Sequence, residues 1–502
     1  MLAKHRFWPF LSASLSVSWP WLVFMFVTMA VLFSGERPLL DGDTYMHIGI
    51  GDWIITHQTV PQVDVFSHTM AGQPWRAHEW LAQVILALVY QWGGWTGLVL
   101  LTGLCTATTL ALLNRFMLVR MPPIYALGLT ALSYLALLTH LLARPHVLTW
   151  PLIVLWTIGL LNAAEQRRAP AWWLLPVMLL WVNLHGGFIL GFALLVPLFL
   201  NALSVVPPTD QARLAKAWGQ FAVMVGLVSL LNPAGWGAYE FLFHLMGNAH
   251  LQYVSEWRPT DLTRFGALEV WIYVLLGMGL LGMLRLPVVQ VMLVLGLLYQ
   301  ALAHVRYVSI FALLVPLLIA RSFGQSYTLW QQSIAHTDRP GHRMASRLDA
   351  WFEQFKRPAG WLLWLVGSLL LAAVANLCAV KDANRPAADT VPQAAVDAVL
   401  SAALSGPVFN HDGTGGYLVM RGIPVYRDGR ADLYGAEFMR RQSELLDSKD
   451  PNFIQRSLSE AGVGWVILPS KANLVSQLRL MPGWQIFFED ANAIIFKPAN
   501  MK

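Results

Sequence analysis

Charge is scarce in this chain. Asp, Glu, Lys and Arg make up 12% of its 502 residues, and 56% are hydrophobic. A soluble domain carries about 25% charged residues. The composition therefore excludes an ordinary soluble enzyme, a disordered chain and a nucleic-acid binder. Cysteine is almost absent too. Cys105 and Cys378 both lie in apolar runs, which excludes a disulfide framework and a cysteine metal site. No G-x-G-x-x-G, Walker or zinc motif occurs, so nothing indicates soluble nucleotide chemistry. The apolar stretch Trp19–Phe33 follows Lys4, His5 and Arg6, and Glu36-Arg37-Pro38 comes next in place of a small-residue cleavage site. This reads as an uncleaved first membrane helix, not a removable signal peptide.

What the chain has in quantity is long apolar runs. A spanning helix needs about 20 mostly apolar residues. Candidate spans are 19–35, 97–114, 124–142, 147–162, 172–184, 187–206, 218–231, 268–284, 287–303, 305–321 and 361–380. Trp80–Trp92 is apolar but short. The expected fold class is a polytopic α-helical membrane protein of about 11–13 spans with a small α/β domain at its C-terminus. Residues 322–360 hold Arg339, Arg343, Arg347, Lys356 and Arg357, so the positive-inside rule places them in the cytoplasm. Working back from there, the loops with Arg285, Arg213/Lys216, Arg167/Arg168 and Arg115/Arg120 also fall inside. Eleven spans then put the N-terminus inside and the tail outside, with 80–92 on the surface or re-entrant. Thirteen fit if 80–92 spans and another segment splits.

Residues 1–380 carry 21 basic and 15 acidic residues, and 381–502 carry 13 of each. The tail is neutral and about twice as charge-dense, so 1–380 reads as the membrane domain and 381–502 as a water-exposed one. In the tail, 407–409, 417–419 and 423–426 read as strands, with a turn at Gly413–Gly416. Residues 435–447 and 451–461 have helical periodicity. Val463–Leu468 reads as a buried strand, and 484–488 with 493–496 as a hairpin. The polar run Arg427–Tyr434 contains Asp428-Gly429-Arg430, read as an internal salt-bridged turn.

The external side gains two long loops, 36–96 and 232–267. Long loops carry function more often than spans do. The first opens with Asp41-Gly42-Asp43 and runs to His47. Two carboxylates at a membrane edge can bind a divalent cation, Mg2+ or Mn2+, or one can act as a general base. They can equally be an acidic stop to the helix. Residues 46–57 have helical spacing of apolar groups and read as an amphipathic helix at the interface. The loop ends in Trp75-Arg76-Ala77-His78-Glu79-Trp80. There His78 and Glu79 could position an acceptor hydroxyl or a phosphate, or the tryptophans could simply anchor the bilayer edge. Arg144-Pro145-His146, His185 and His304-Val305-Arg306-Tyr307 fall on the same side. Together with His47 they form a candidate set for binding a lipid phosphate. Singly, each reads as a snorkelling or capping residue. Glu256 and Arg258 in the second loop could add an acid or a lid.

The order of parts in the first loop resembles the GT-C superfamily of membrane glycosyltransferases. The shared parts are an acidic motif at the outer end of the first span (Asp41-Gly42-Asp43), a juxtamembrane helix (46–57) and a Pro/Trp-rich return (Gln73–Trp80). The tail segment from Val408 to Tyr434 is similar to a group of bacterial membrane proteins of that architecture. The Trp-Trp-Asp-Tyr-Gly motif of oligosaccharyltransferase subunits is absent. The resemblance implies inverting transfer of a sugar from a polyprenyl-phosphate or polyprenyl-diphosphate donor to an extracytoplasmic acceptor (glycan, lipid or protein). It also implies a bacterial inner-membrane location. Asp41 or Asp43 would be the base, and Arg144, Arg306 and His304 would stabilise the leaving phosphate. Many members carry a second acid in the next external loop. Here that loop offers Arg144 and His146, so His78-Glu79 or Glu256 would have to substitute. The rival readings are a non-catalytic subunit of an envelope glycan machine and a lipid-linked sugar flippase.

Overall fold

The computed structural model describes residues 16–246, 255–334 and 350–500. Lys4–Arg6, Arg339, Arg343, Arg347 and the middle of the second external loop, 247–254, lie outside the described residues. Each of the eleven expected spans coincides with a helix. Among the described residues, six helices are long and apolar enough to cross a bilayer: Trp80–Leu118, Pro123–His140, Pro145–Glu165, Gly186–Ser204, Tyr307–Gln332 and Trp361–Val380. Trp19–Leu32, Leu174–Leu184, Ala267–Leu280 and Val288–Ala303 are shorter apolar helices. Proline marks several helix starts, at Pro20, Pro123, Pro145 and Pro208, where its missing N–H has no intrahelical partner to lose.

The helix Trp80–Leu118 is 39 residues long. Straight, it would measure about 58 Å, nearly twice a hydrocarbon core. It is not straight. Gly94 has φ 56° and ψ −149°, a conformation open to glycine. A Cβ on Gly97 would lie 2.9 Å from the Val89 carbonyl, so the inner corner is tight. The break separates 80–93 from the span that follows.

The juxtamembrane helix is real but differs from the expected interfacial one. It runs Gly42–His57 and buries Tyr45, Met46, His47, Ile48, Ile50 and Ile54. One side lies on the 80–93 segment, where a Cβ on Gly51 would sit 2.0 Å from the Gln83 carbonyl. The other side lies on the tail helix Asp412–Met420. There a Cβ on Gly416 would fall 2.0 Å from the Gly42 carbonyl, and one on Gly49 2.8 Å from the Met420 backbone. The helix is clamped between two protein surfaces. Gly413–Gly416 is accordingly not a turn, and 417–419 is not a strand. These residues form a helix whose small residues admit a close neighbour. Gly416→Ala should cost about 1–3 kcal/mol by overpacking, read as a lower thermal midpoint; an unchanged midpoint would mean that the two helices can separate freely.

The tail sheet has four strands: β1 (Val408–Asn410), β2 (Trp465–Pro469), β3 (Trp484–Glu489) and β4 (Ala493–Pro498), in the order β1-β2-β4-β3. β1 and β2 are parallel, and the other pairs are antiparallel. The expected helices appear at Ala436–Asp447 and Pro451–Glu460, and β3 with β4 forms the expected hairpin. Residues 423–426 are not a strand of this sheet. Val425 instead bridges Ser67 of the first loop, and its N–H donates to the Phe66 carbonyl. One hydrophobic cluster joins Tyr45, Ile50, Phe66 and Trp75 of the loop to Val396, Leu418, Ile467 and Ile495 of the tail. Loop and tail thus share a core.

Candidate functional site

The site begins with a helix cap. Asp41 precedes the first turn of Gly42–His57, and its Oδ1 accepts the Asp43 N–H at 2.9 Å. Asp is favoured at this position, and a second acid in the first turn suits the helix dipole. Both carboxylates therefore sit at one helix end.

Arg144 reaches them from the chain turn before Pro145–Glu165. That turn is tied to the first loop: the Ala143 N–H donates to the Pro38 carbonyl at 2.7 Å, and Arg37 Nη2 donates to the Leu138 carbonyl at 3.3 Å. Arg144 Nη1 lies 2.8 Å from Asp41 Oδ2 and 2.5 Å from Glu256 Oε1, and Nη2 lies 3.0 Å from Asp43 Oδ2. Glu256 is placed by the second loop, whose backbone pairs with 302–306. The Val305 N–H donates to the Arg258 carbonyl and the Arg306 N–H to the Glu256 carbonyl. Three carboxylates thus meet one guanidinium.

Their electrostatics differ. Burial pushes the Asp43 carboxyl up, opposed by Arg144 and reinforced by Asp41, Glu256 and Asp428, to about 7. Burial also acts on Glu256, but Arg144 and Arg306 outweigh it and hold its carboxyl down at about 2. Asp43 Oδ1 faces the tail: a Cβ on Gly429 would lie 1.7 Å from it. A side chain at position 429 would have to displace the Asp43 carboxylate.

A second cluster adjoins the first. Glu79 Oε1 lies 3.4 Å from His185 Nε2 and 3.9 Å from His78 Nε2, and Oε2 lies 3.7 Å from His47 Nε2. The tautomers follow from the other ring nitrogens. His185 Nδ1 accepts the Gly187 N–H at 2.9 Å, so its proton sits on Nε2, toward Glu79. The Gln83 amide donates to His47 Nδ1 at 3.3 Å, so the same holds there. Burial raises the Glu79 carboxyl and keeps His47 neutral, well below the ordinary histidine range. A recess of about 410 Å3 opens next to this cluster, lined by Arg76, His78, Trp80, Phe188, Asn232 and Phe241 among others. Much of that space is open to solvent, and the enclosed part, about 20 Å3, is room for a water molecule.

The remaining expected residues divide. His304 Nδ1 donates to the Trp257 carbonyl at 2.8 Å, and His146 Nε2 to the His140 carbonyl at 2.9 Å. Both rings are held by backbone. Arg306 lies 4.7 Å over the Trp257 ring, and its charge acts on Glu256, Glu79 and His185. Among the described residues it forms no ion pair. Tyr307 packs edge-on to Trp257. The Arg258 side chain is exposed and takes no part in either cluster.

Sequence reasoning missed one buried node. Arg430 donates to both Asp428 oxygens and, through Nη1, to Asp64 Oδ1 at 2.6 Å. The salt-bridged turn is present, but it also locks the first loop to the tail. The only local signal at Asp64 is its turn: its carboxylate accepts from Phe66 and Ser67 N–H.

No protein-family model matches the chain, and no curated protein matches it in sequence. Solved structures do match. ArnT from Cupriavidus metallidurans, bound to undecaprenyl phosphate, superposes with a TM-score of 0.50 at 12% identity, over 95% of this chain and 97% of that one. The oligosaccharyltransferase AglB from Archaeoglobus fulgidus, in complex with an inhibitory peptide and a dolichol-phosphate, gives 0.54 at 10% identity, over 96% and 74%. The arabinofuranosyltransferase AftD from Mycobacteria gives 0.52 at 12% identity, over 97% of this chain and 40% of that one. With its apolar helices, its clamped juxtamembrane helix and its C-terminal sheet, the chain is a multi-pass membrane protein with the GT-C fold that these structures share.

Proposed function

We propose that the protein transfers a sugar from a polyprenyl-phosphate or polyprenyl-diphosphate donor to an acceptor on the extracytoplasmic face of a bacterial inner membrane. The N-terminus is cytoplasmic and the tail external in this reading. The observation that carries it is Asp43: a carboxylate at the outer end of a span, raised toward neutrality, with one oxygen bound by Arg144 and the other turned toward Gly429. Such a group is suited to general base work. Two of the structural neighbours have lipid phosphates bound, which supports the donor class.

In the reaction the acceptor oxygen or nitrogen attacks the anomeric carbon while Asp43 takes its proton. The bond from that carbon to the phosphate oxygen breaks, and its electron pair leaves with the lipid phosphate. A single displacement inverts the anomeric centre. Arg306 is the cation that meets the developing phosphate charge. Arg144 is less suited to that part, because three carboxylates already surround it.

The test is release of lipid phosphate from a panel of polyprenyl-linked sugars by the purified protein and by Asp43→Asn. Release by the wild type alone supports the reading. Lipid binding without release from any donor by either protein would favour a non-catalytic subunit. Arg306→Ala should lower kcat/KM for the donor about 10–100-fold, the range of a hydrogen bond to a charged group. Arg306→Lys should fall between, because it keeps the charge and loses the planar fork. An unchanged kcat/KM would remove Arg306 from the donor site.

A further inference from the structure

A divalent ion draws carboxylate oxygens to within about 2.0–2.6 Å of one point. The oxygens of Asp41, Asp43 and Glu256 are arranged otherwise. Asp41 Oδ2, Asp43 Oδ2 and Glu256 Oε1 each lie at hydrogen-bond distance from a guanidinium nitrogen, at 2.8, 3.0 and 2.5 Å. Asp41 Oδ1 is occupied by the Asp43 N–H. Among the described residues, no group of three or more His, Cys, Asp or Glu side chains could hold a metal ion. The residues present do not fit a divalent cation while Arg144 stands among them.

The backbone that carries Arg144 is also held in place. Its backbone caps the Pro145–Glu165 helix, its N–H donates to the Leu142 carbonyl, and the neighbouring Ala143 is bonded to Pro38. A planar guanidinium presents its donors in a fixed fork. One arm serves Asp43, and the other serves Asp41 and Glu256 together. That is a cation's work of drawing acids from three separate segments into one place. We infer that Arg144 is the resident cation of this site, standing where a divalent metal would bind, and that the protein binds and transfers its substrates without one.

This inference rests on the reading of the site as a sugar-transfer centre, but its first test does not depend on turnover. Free Mn2+ is measured by electron paramagnetic resonance as it is titrated into the purified full-length protein in detergent. The wild type should show no stoichiometric site. Arg144→Ala should bind Mn2+ at least tenfold more tightly, and adding Glu256→Gln should abolish that gain. One equivalent bound by the wild type and lost in Asp41→Asn would overturn the inference. That wild-type comparison decides the matter even where Arg144→Ala fails to fold. A chelator arm follows once a donor is known: turnover should be unchanged by EDTA, and loss restored by Mn2+ or Mg2+ would overturn the inference. Failure of every donor to react would count against the transfer reading alone and leave the Mn2+ result standing.

Discussion

Asp43→Asn is expected to lower transfer by about 10²–10⁴-fold, the usual contribution of a general base, while leaving the protein folded. Asp41→Asn should cost less, because an asparagine oxygen can still accept the Asp43 N–H and cap the helix. The pH profile adds a second signature. The base must be ionised, so the wild-type rate should rise with pH through about 7 and then level off. The groups facing Asp43 are Arg144, Asp41, Glu256 and Asp428, and burial outweighs the attraction of Arg144. The same shift has a stability consequence of opposite sign. Asp43 in the fold holds its proton more tightly than an unfolded aspartate near 3.9. Its contribution to stability is therefore full below about pH 4 and is lost as pH rises through about 7. Asp43→Asn removes that loss, so its thermal midpoint should exceed the wild type's at pH 8 and approach it at pH 4. Initial rates of lipid-phosphate release, with melting curves at both pH values, check all three. Full activity in Asp43→Asn with loss in Asp41→Asn would move the base to Asp41.

The parts of this fold legible in the sequence are those set by local chemistry. Apolar runs of near-spanning length marked all eleven expected helices, because apolar length and low charge identify such helices without reference to neighbours. The hairpin of β3 and β4 and the helices at 436–447 and 451–460 followed from their own periodicity. What was not legible depends on partners far along the chain. Gly413, Gly415 and Gly416 read as a turn by propensity, yet the chain is helical there, because close packing against Gly42 and the Arg427 carbonyl needs small residues. The 46–57 periodicity alone reads as one dry and one wet face, but glycines at 42, 49 and 51 let backbone approach on further sides. Arg144 lies about 100 residues from both Asp41 and Glu256 in sequence. Its pattern alone suggested an anion binder, and only the fold shows that carboxylates of the same chain already meet it. Asp64 and Arg430 are 366 residues apart, and no local pattern could pair them.

Arg430→Ala should be the most destabilising single change outside the Arg144 and Glu79 clusters, about 3–5 kcal/mol, the cost of removing one partner from a buried ion pair. The Arg430 side chain is 2% exposed, and those of Asp64 and Asp428 are fully buried. The guanidinium lies over the rings of Trp75 and Phe66, at 4.6 and 5.3 Å. Truncation would leave two carboxylates in an apolar setting. Asp64 keeps its bonds from Phe66 and Ser67, but Asp428 keeps only the backbone N–H at position 430. Arg440→Ala is the contrast, since its pairs with Glu437 and Glu444 are exposed and screened by solvent, so its thermal midpoint should barely move. Comparing the thermal midpoints of the two variants tests the assignment, and equal shifts would show that the buried node does not hold loop to tail. The node also bears on chemistry, because Gly429 sits between Asp428 and Arg430 and abuts Asp43. Loss of activity in Arg430→Ala should therefore track loss of fold. In Asp43→Asn the two should part, with activity gone and the fold retained. That separation distinguishes the group that does the chemistry from the group that holds its surroundings in place.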